Sequence, residues 1–177
     1  MPRTHLLQLL KQYHPVELDE QIMLTKMIDF VEKHENCLSR SLSIGHVTGS
    51  AWIVNESRSH ALLIHHAKLN AWFQPGGHAD EGENITEVAM REAMEETGLV
   101  LQLIDSQLFD IDIHQIPARK SEEAHLHYDV RFLFEGKMSD ILQISNESKD
   151  LRWIPLQEIE HYNNEASIMR MVEKTKN

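Results

Sequence analysis

The stretch GHADEGENITEVAMREAMEETGL, residues 77–99, ends in a run that crowds Glu92, Glu95 and Glu96 around Arg91 and closes on Gly98. Residues 84–97 are good helix formers, and Gly98 suits the position just past a helix C-terminus. At about 100° per residue the three glutamates fall within an arc of about 100°. Like charges at i,i+3 and i,i+4 are neighbours and cost roughly 0.2–0.5 kcal/mol per pair. A chain that accepts this repulsion needs something to offset it.

The segments on either side are strand-like. GHVTGSAWIV (45–54) and HALLIHH (60–66) flank the polar turn NESRS and predict a hairpin. NAWFQPGG (70–77) predicts a third short strand, ended by Pro75 and two glycines. LFDIDIHQI alternates Phe109, Ile111 and Ile113 with Asp110, Asp112 and His114. HLHYDVRFLF alternates Leu126, Tyr128, Val130, Phe132 and Phe134 with His125, His127, Asp129 and Arg131. Each predicts a strand with an apolar core face and a polar face toward solvent or a cleft. LRWI (151–154) is a further short strand, and LQEIEHYNNEASIMRMVEK (156–174) predicts a helix with a break near Asn163–Asn164. Trp52, Trp72 and Trp153 read as packing residues.

Ahead of these strands, residues 4–12 and 17–35 have helical periodicity, with Ile22, Met23, Met27, Ile28, Phe30 and Val31 on a stripe. Such a stripe needs a partner surface, either the following domain or a second copy in a homodimer. HENCLSRS (34–41) interrupts it. The expected organisation is a helical extension over residues 1–42 and an α+β domain of mixed α/β layers over 43–177.

Seventeen basic against 28 acidic residues give a net charge of −11. That balance argues against binding a nucleic-acid polymer, which needs a basic face. A small phosphorylated ligand remains compatible if a cation supplies the attraction. Cys37 is the single cysteine, so no internal disulfide forms and a reducing compartment is expected. No run approaches the roughly 18 apolar residues of a membrane span, and no leader-like start is evident. A cytoplasmic protein without membrane contact is the expectation.

The spacing over residues 77–99 is Gly77, five residues, Glu83, seven residues, Arg91-Glu92-Ala93, one residue, Glu95-Glu96, one residue, Gly98-Leu99. This resembles the signature box of the Nudix hydrolases at every fixed position, with Ala93 and Leu99 in the hydrophobic slots. WFQPGG before it and LRWIPLQEI after it also look like the family's entering strand and domain close, so the resemblance covers roughly residues 43–160. It implies an α/β/α sandwich with a mixed sheet. It also implies a metal-dependent pyrophosphatase that cleaves a pyrophosphate bond in a nucleoside diphosphate linked to another moiety.

Several carboxylates on one helical arc suit a hard divalent cation. Mg²⁺ or Mn²⁺ would relieve their repulsion, hold a diphosphate, neutralise developing charge and orient the attacking water. Glu92 and Glu96 are the first candidate ligands, with Glu95 third and the Gly77 backbone beside them. The resemblance gives Glu83 a supporting role and Arg91 a role in orienting a glutamate or meeting substrate. Candidate general bases are the box glutamates Glu92 and Glu95, or Glu147, Glu122 or Glu123 from later loops. A non-catalytic ligand sensor of the same family would typically lack box acids, and none is missing. A related isomerase would need a cysteine near the box, whereas Cys37 precedes it.

Twelve histidines are many for this length. His78 lies in the box loop, while His114, His125 and His127 lie on the polar faces of two predicted strands. Sharing one cleft, they would bind the phosphate or sugar of a substrate, or hold a transition metal such as Zn²⁺. The substrate itself has no clear signature. Pro117 lies 18 residues beyond Leu99, somewhat further than in ADP-ribose-cleaving relatives.

Overall fold

A computed structural model describes residues 1–118 and 123–176. Two N-terminal helices, α1 (Pro2–Gln12) and α2 (Leu18–Lys33), precede the strands β1 (Gly45–Val54), β2 (His60–His66), β3 (Ala71–Phe73) and β4 (Gly76–His78). Helix α3 (Ile85–Thr97) follows, then β5 (Gln102–Leu103), β6 (Asp110–Ile116), β7 (His125–Glu135) and β8 (Ser148–Pro155). A 3₁₀ turn at Leu156–His161 and α4 (Ala166–Lys176) complete the order.

The strands form one mixed sheet. β1 runs parallel to β7 along its whole length, with His46 opposite His127 and Ser50 opposite Arg131. β6 adds antiparallel to the far edge of β7, placing His114 opposite His127 and Asp110 opposite Arg131. The other edge of β1 is shared: its C-terminal end pairs with β2, and residues Thr48–Ser50 pair with β4. β2 in turn pairs with β8 and β3. The stretch expected as a third strand is therefore two strands, split at Gln74–Pro75, because Pro75 has no N–H to continue a ladder.

Alternation along β1 and β7 gives each sheet face its own partners. Val47, Ala51, Ile53, Val130, Phe132 and Phe134 join Leu6, Leu10, Met27, Phe30 and Val31 of the N-terminal helices and Ile85, Val88 and Ala89 of α3. Phe30 stacks on Tyr128 with ring centroids 3.9 Å apart. Trp52 and Leu133, on the other face, pack with Ile168, Met171 and Val172 of α4. The result is an α/β/α arrangement in which most of the apolar stripe of the N-terminal helices packs on the chain's own core, while Ile22 stays 45% exposed. Among the described residues, no helix is long and apolar enough to cross a membrane.

Two further expectations are corrected. The segment after Pro155 starts as a 3₁₀ turn, and α-helix begins only after Asn163–Asn164. The polar face of β7 is not open throughout: Asp129 and Arg131 are each only 2% exposed. Arg131 donates to Asp129 (2.8 Å) and Asp110 (3.2 Å), and Arg170 of α4 donates to both oxygens of Asp110 at 2.8 and 2.9 Å. Lys174 reaches Asp110 at 2.7 Å and also bonds Glu20 of α2, which accepts from Tyr13 as well. Buried charges persist only when paired in this way. The network ties the N-terminal helices, the sheet and α4 together.

Candidate active site

Helix α3 is set by its apolar positions Ile85, Val88, Ala89 and Ala93, all buried. They fall at i, i+3, i+4 and i+8 and face β1. Gly49 lets the helix come close, since a side chain there would meet the Ile85 carbonyl at 2.8 Å. At the start of the helix the Glu87 carboxylate accepts from the Asn84 N–H at 3.2 Å, one half of a capping box. Gly98 ends it in the left-handed conformation with φ 73°. With the apolar face fixed against the sheet, Glu92 and Glu96, one turn apart, point toward β4.

There they meet backbone. The Glu96 carboxylate accepts the Gly76 N–H at 3.0 Å, and the Glu92 carboxylate lies directly against Gly77. Burial raises the Glu96 carboxyl to about 7, a shift opposed by the Gly76 N–H and reinforced by Glu92, Glu147 and Glu95. Burial also raises Glu92, against the pull of Arg91 and with the repulsion of Glu95 and Glu147. Glu147, exposed on the loop before β8, is thus within electrostatic reach of both. Glu95 is the outermost of the group, its side chain 62% exposed.

Arg91 knits the site to its loop. Its guanidinium donates to both oxygens of Glu83 at 2.9 Å, to Glu92 at 2.9 Å and to the His78 carbonyl at 3.0 Å. A planar fork of donors is suited to holding several acceptors at fixed angles. The same bonds pull Glu83 below its ordinary range. Of the other general-base candidates, Glu122 lies outside the described residues. Glu123 lies two residues before β7, exposed, with its backbone carbonyl 2.9 Å from His125 Nδ1.

The imidazoles gather further along the sheet. The rings of His78 and His127 are 5.1 Å apart, His125 and His127 5.2 Å, and His114 and His127 5.5 Å. His46, which sequence reasoning missed, is at their centre, 4.8–5.0 Å from His127, His78 and His125 and only 3% exposed. The signal for it was present: His46, Thr48 and Ser50 alternate with Val47, Gly49 and Ala51. Thr48 and Ser50 donate to Asp129 at 2.9 and 2.7 Å, continuing the same polar face.

Burial lowers His78 to about 4, with Arg40 and neighbouring imidazoles adding to the effect. Burial and four surrounding histidines hold His127 far below its usual value. Burial would lower His114 too, but its bond to Asp112 at 3.0 Å and the nearby carboxylates outweigh this and raise it.

A sequence model described as the NUDIX domain matches residues 46–173, well over half of the chain. The chain belongs to the Nudix family. Its box carboxylates, Arg91 and the Gly76–Gly77 strand occupy one corner of that fold.

Among Nudix relatives, the chain is 37% identical over 97 residues to a bis(5'-nucleosyl)-tetraphosphatase [asymmetrical] of Rattus norvegicus, a match covering 54% of this chain and 59% of that protein. It is 29% identical over 125 residues to a probable DHNTP pyrophosphohydrolase of Lactococcus lactis, covering 68% and 72%. A solved Ap4A hydrolase of C. elegans superposes with a TM-score of 0.60 at 19% identity, covering 73% of this chain and 94% of the other, and supports the fold alone. The chain thus spans about three-fifths of the rat relative's length.

Proposed function

We propose that this Nudix chain hydrolyses a pyrophosphate bond in a nucleoside diphosphate linked to another moiety, using Mg²⁺ or Mn²⁺ held by Glu92 and Glu96. The observation that supports this most is the pair of carboxylates raised together against the Gly76–Gly77 backbone. The donors are all oxygen, they crowd negative charge, and they sit on a fixed helix face, which fits a hard divalent cation. When bound, such an ion supplies neutralisation of the phosphate oxygens and orientation of the attacking water.

The protein's own residues do the rest. Arg91 positions Glu92 through Glu83 and the His78 carbonyl. Glu95, on the exposed side, is a third carboxylate for metal or for proton transfer. Glu147, on its loop within reach of Glu92 and Glu96, accepts the proton of the water. His114 flanks the path from the box toward the histidine face and contacts the moiety beyond the diphosphate. The names of the relatives favour nucleotides carrying a chain of several phosphates.

The test is a panel of dinucleoside polyphosphates, nucleoside triphosphates and nucleoside diphosphate sugars, incubated with Mg²⁺ or Mn²⁺ and resolved by chromatography. Cleavage into two phosphate-bearing products, abolished by chelator, is expected. A Nudix chain acting only as a ligand sensor would instead bind a panel member without turnover.

A further inference from the structure

Five histidines from four strands meet at one end of the β1–β7 pair: His46, His78, His114, His125 and His127. Ring nitrogens of His46, His125 and His127 all lie within 4.8 Å of one another. The Nε2 atoms of His125 and His127 are 3.3 Å apart, and Nε2 of His78 is 3.4 Å from Nε2 of His127. Two nitrogens bound to one tetrahedral Zn²⁺ at about 2.0–2.1 Å stand about 3.3–3.4 Å apart, the edge of the tetrahedron. The spacing in the fold is that of a ligand pair.

Hydrogen bonding among the rings does not account for this convergence. Nδ1 of His125 lies 2.9 Å from the Glu123 carbonyl, which only accepts, so in the neutral ring Nδ1 carries the hydrogen and Nε2 presents a lone pair. Nε2 of His127 lies between Nε2 of His125 and Nε2 of His78 and has at most one hydrogen to give. If it donates to His125 it cannot also satisfy His78; if it accepts from His78, two lone pairs meet at His125. A cation accepts all of them. The Glu123 carbonyl also orients its ring as carbonyls and carboxylates orient metal-ligating histidines.

We propose that His46, His125 and His127 form a transition-metal site, taking Zn²⁺ or a similar ion such as Co²⁺, separate from the carboxylate site on α3. His78 is the nearest fourth donor. The donors are imidazoles of borderline softness, whereas the box offers only oxygens, so the two sites select different metals. This inference does not depend on the hydrolytic reading above.

The experiment strips the full-length protein with chelator and titrates it with Co²⁺ and with Zn²⁺ in millimolar Mg²⁺, which competes for carboxylate oxygens. Expected is one equivalent of Zn²⁺ by calorimetry. Co²⁺ should give the strong visible absorption of a four-coordinate ion, displaced by Zn²⁺. Both signals should be lost in His125→Ala/His127→Ala, and His46→Ala should weaken Zn²⁺ at least about tenfold, with circular dichroism reporting the fold. Absence of the Co²⁺ absorption in the unaltered protein overturns the site without recourse to any variant. So does Zn²⁺ stoichiometry unchanged by removal of His125 and His127.

Discussion

The Glu92 carboxylate fills the space that a side chain on Gly77 would take: a Cβ there would fall 2.3 Å from Glu92 Cδ and 2.4 Å from Oε1. The glycine of the box is therefore a packing partner of its own glutamate. Its neighbour Gly76 holds Glu96 by a backbone N–H, so one short strand fixes both carboxylates.

Gly77→Ala should push the Glu92 carboxylate aside while leaving the core untouched, since the contact is with the end of a flexible side chain. Expected is a fall in kcat/KM of at least about tenfold, ~1.4 kcal/mol, with Tm nearly unchanged. Steady-state kinetics beside thermal unfolding checks it; an alanine variant with full activity would show that Glu92 needs no fixed position.

Glu96 makes the metal-free fold sensitive to pH. Its folded value of about 7 lies above the ordinary 4.5, so the folded chain holds a proton that the unfolded chain releases. The stability this contributes is complete below about pH 4.5 and is lost as pH rises through 7. At about 1.4 kcal/mol per pH unit, the loss is on the order of 3 kcal/mol. In chelator at pH 8, Glu96→Gln should melt several degrees above wild type, and the gap should close near pH 4.5. A glutamine variant that melts lower at pH 8 would contradict the assigned burial.

Asp110 is fully buried and receives Arg131, Arg170 and Lys174. Asp110→Asn should cost about 3–5 kcal/mol, because the buried cations lose their shared counter-charge. Urea unfolding measures this directly; a loss under about 1 kcal/mol would mean the network is not what joins α4 to the sheet.

Deleting residues 1–40 strips Leu6, Leu10, Met27, Phe30 and Val31 from the face that includes Val47 and Tyr128. The truncated protein should aggregate or expose a dye-binding apolar surface. Size-exclusion chromatography that shows a monodisperse particle free of dye binding would refute the role given to α1 and α2.

Much of this was legible in the residues. Helix α3, its glycine stop and the carboxylate arc follow from period and spacing over 85–98, and period-2 alternation located β6 and β7. What alternation does not carry is which distant segment lies alongside. His46 becomes a site residue only because β1 pairs in parallel with β7, 81 positions on in the register that sets it beside His127. For the same reason the Asp129–Arg131 face could not be told from a solvent face until Asp110 and Arg170 were seen to cover it. Pro75, which ends one short strand before β4 starts the next, hid the β4–β1 pairing that brings Gly76 and Gly77 to the glutamates.

The most direct measurement is kcat for Glu92→Gln and Glu96→Gln on the nucleotide identified by the panel, at saturating Mg²⁺ or Mn²⁺. Each exchange keeps the shape and removes one charge from the proposed metal site. Turnover should fall at least about a hundredfold, ~2.7 kcal/mol, in both variants while circular dichroism remains that of the wild type. Turnover near the wild-type value in both would contradict metal-assisted hydrolysis on helix α3.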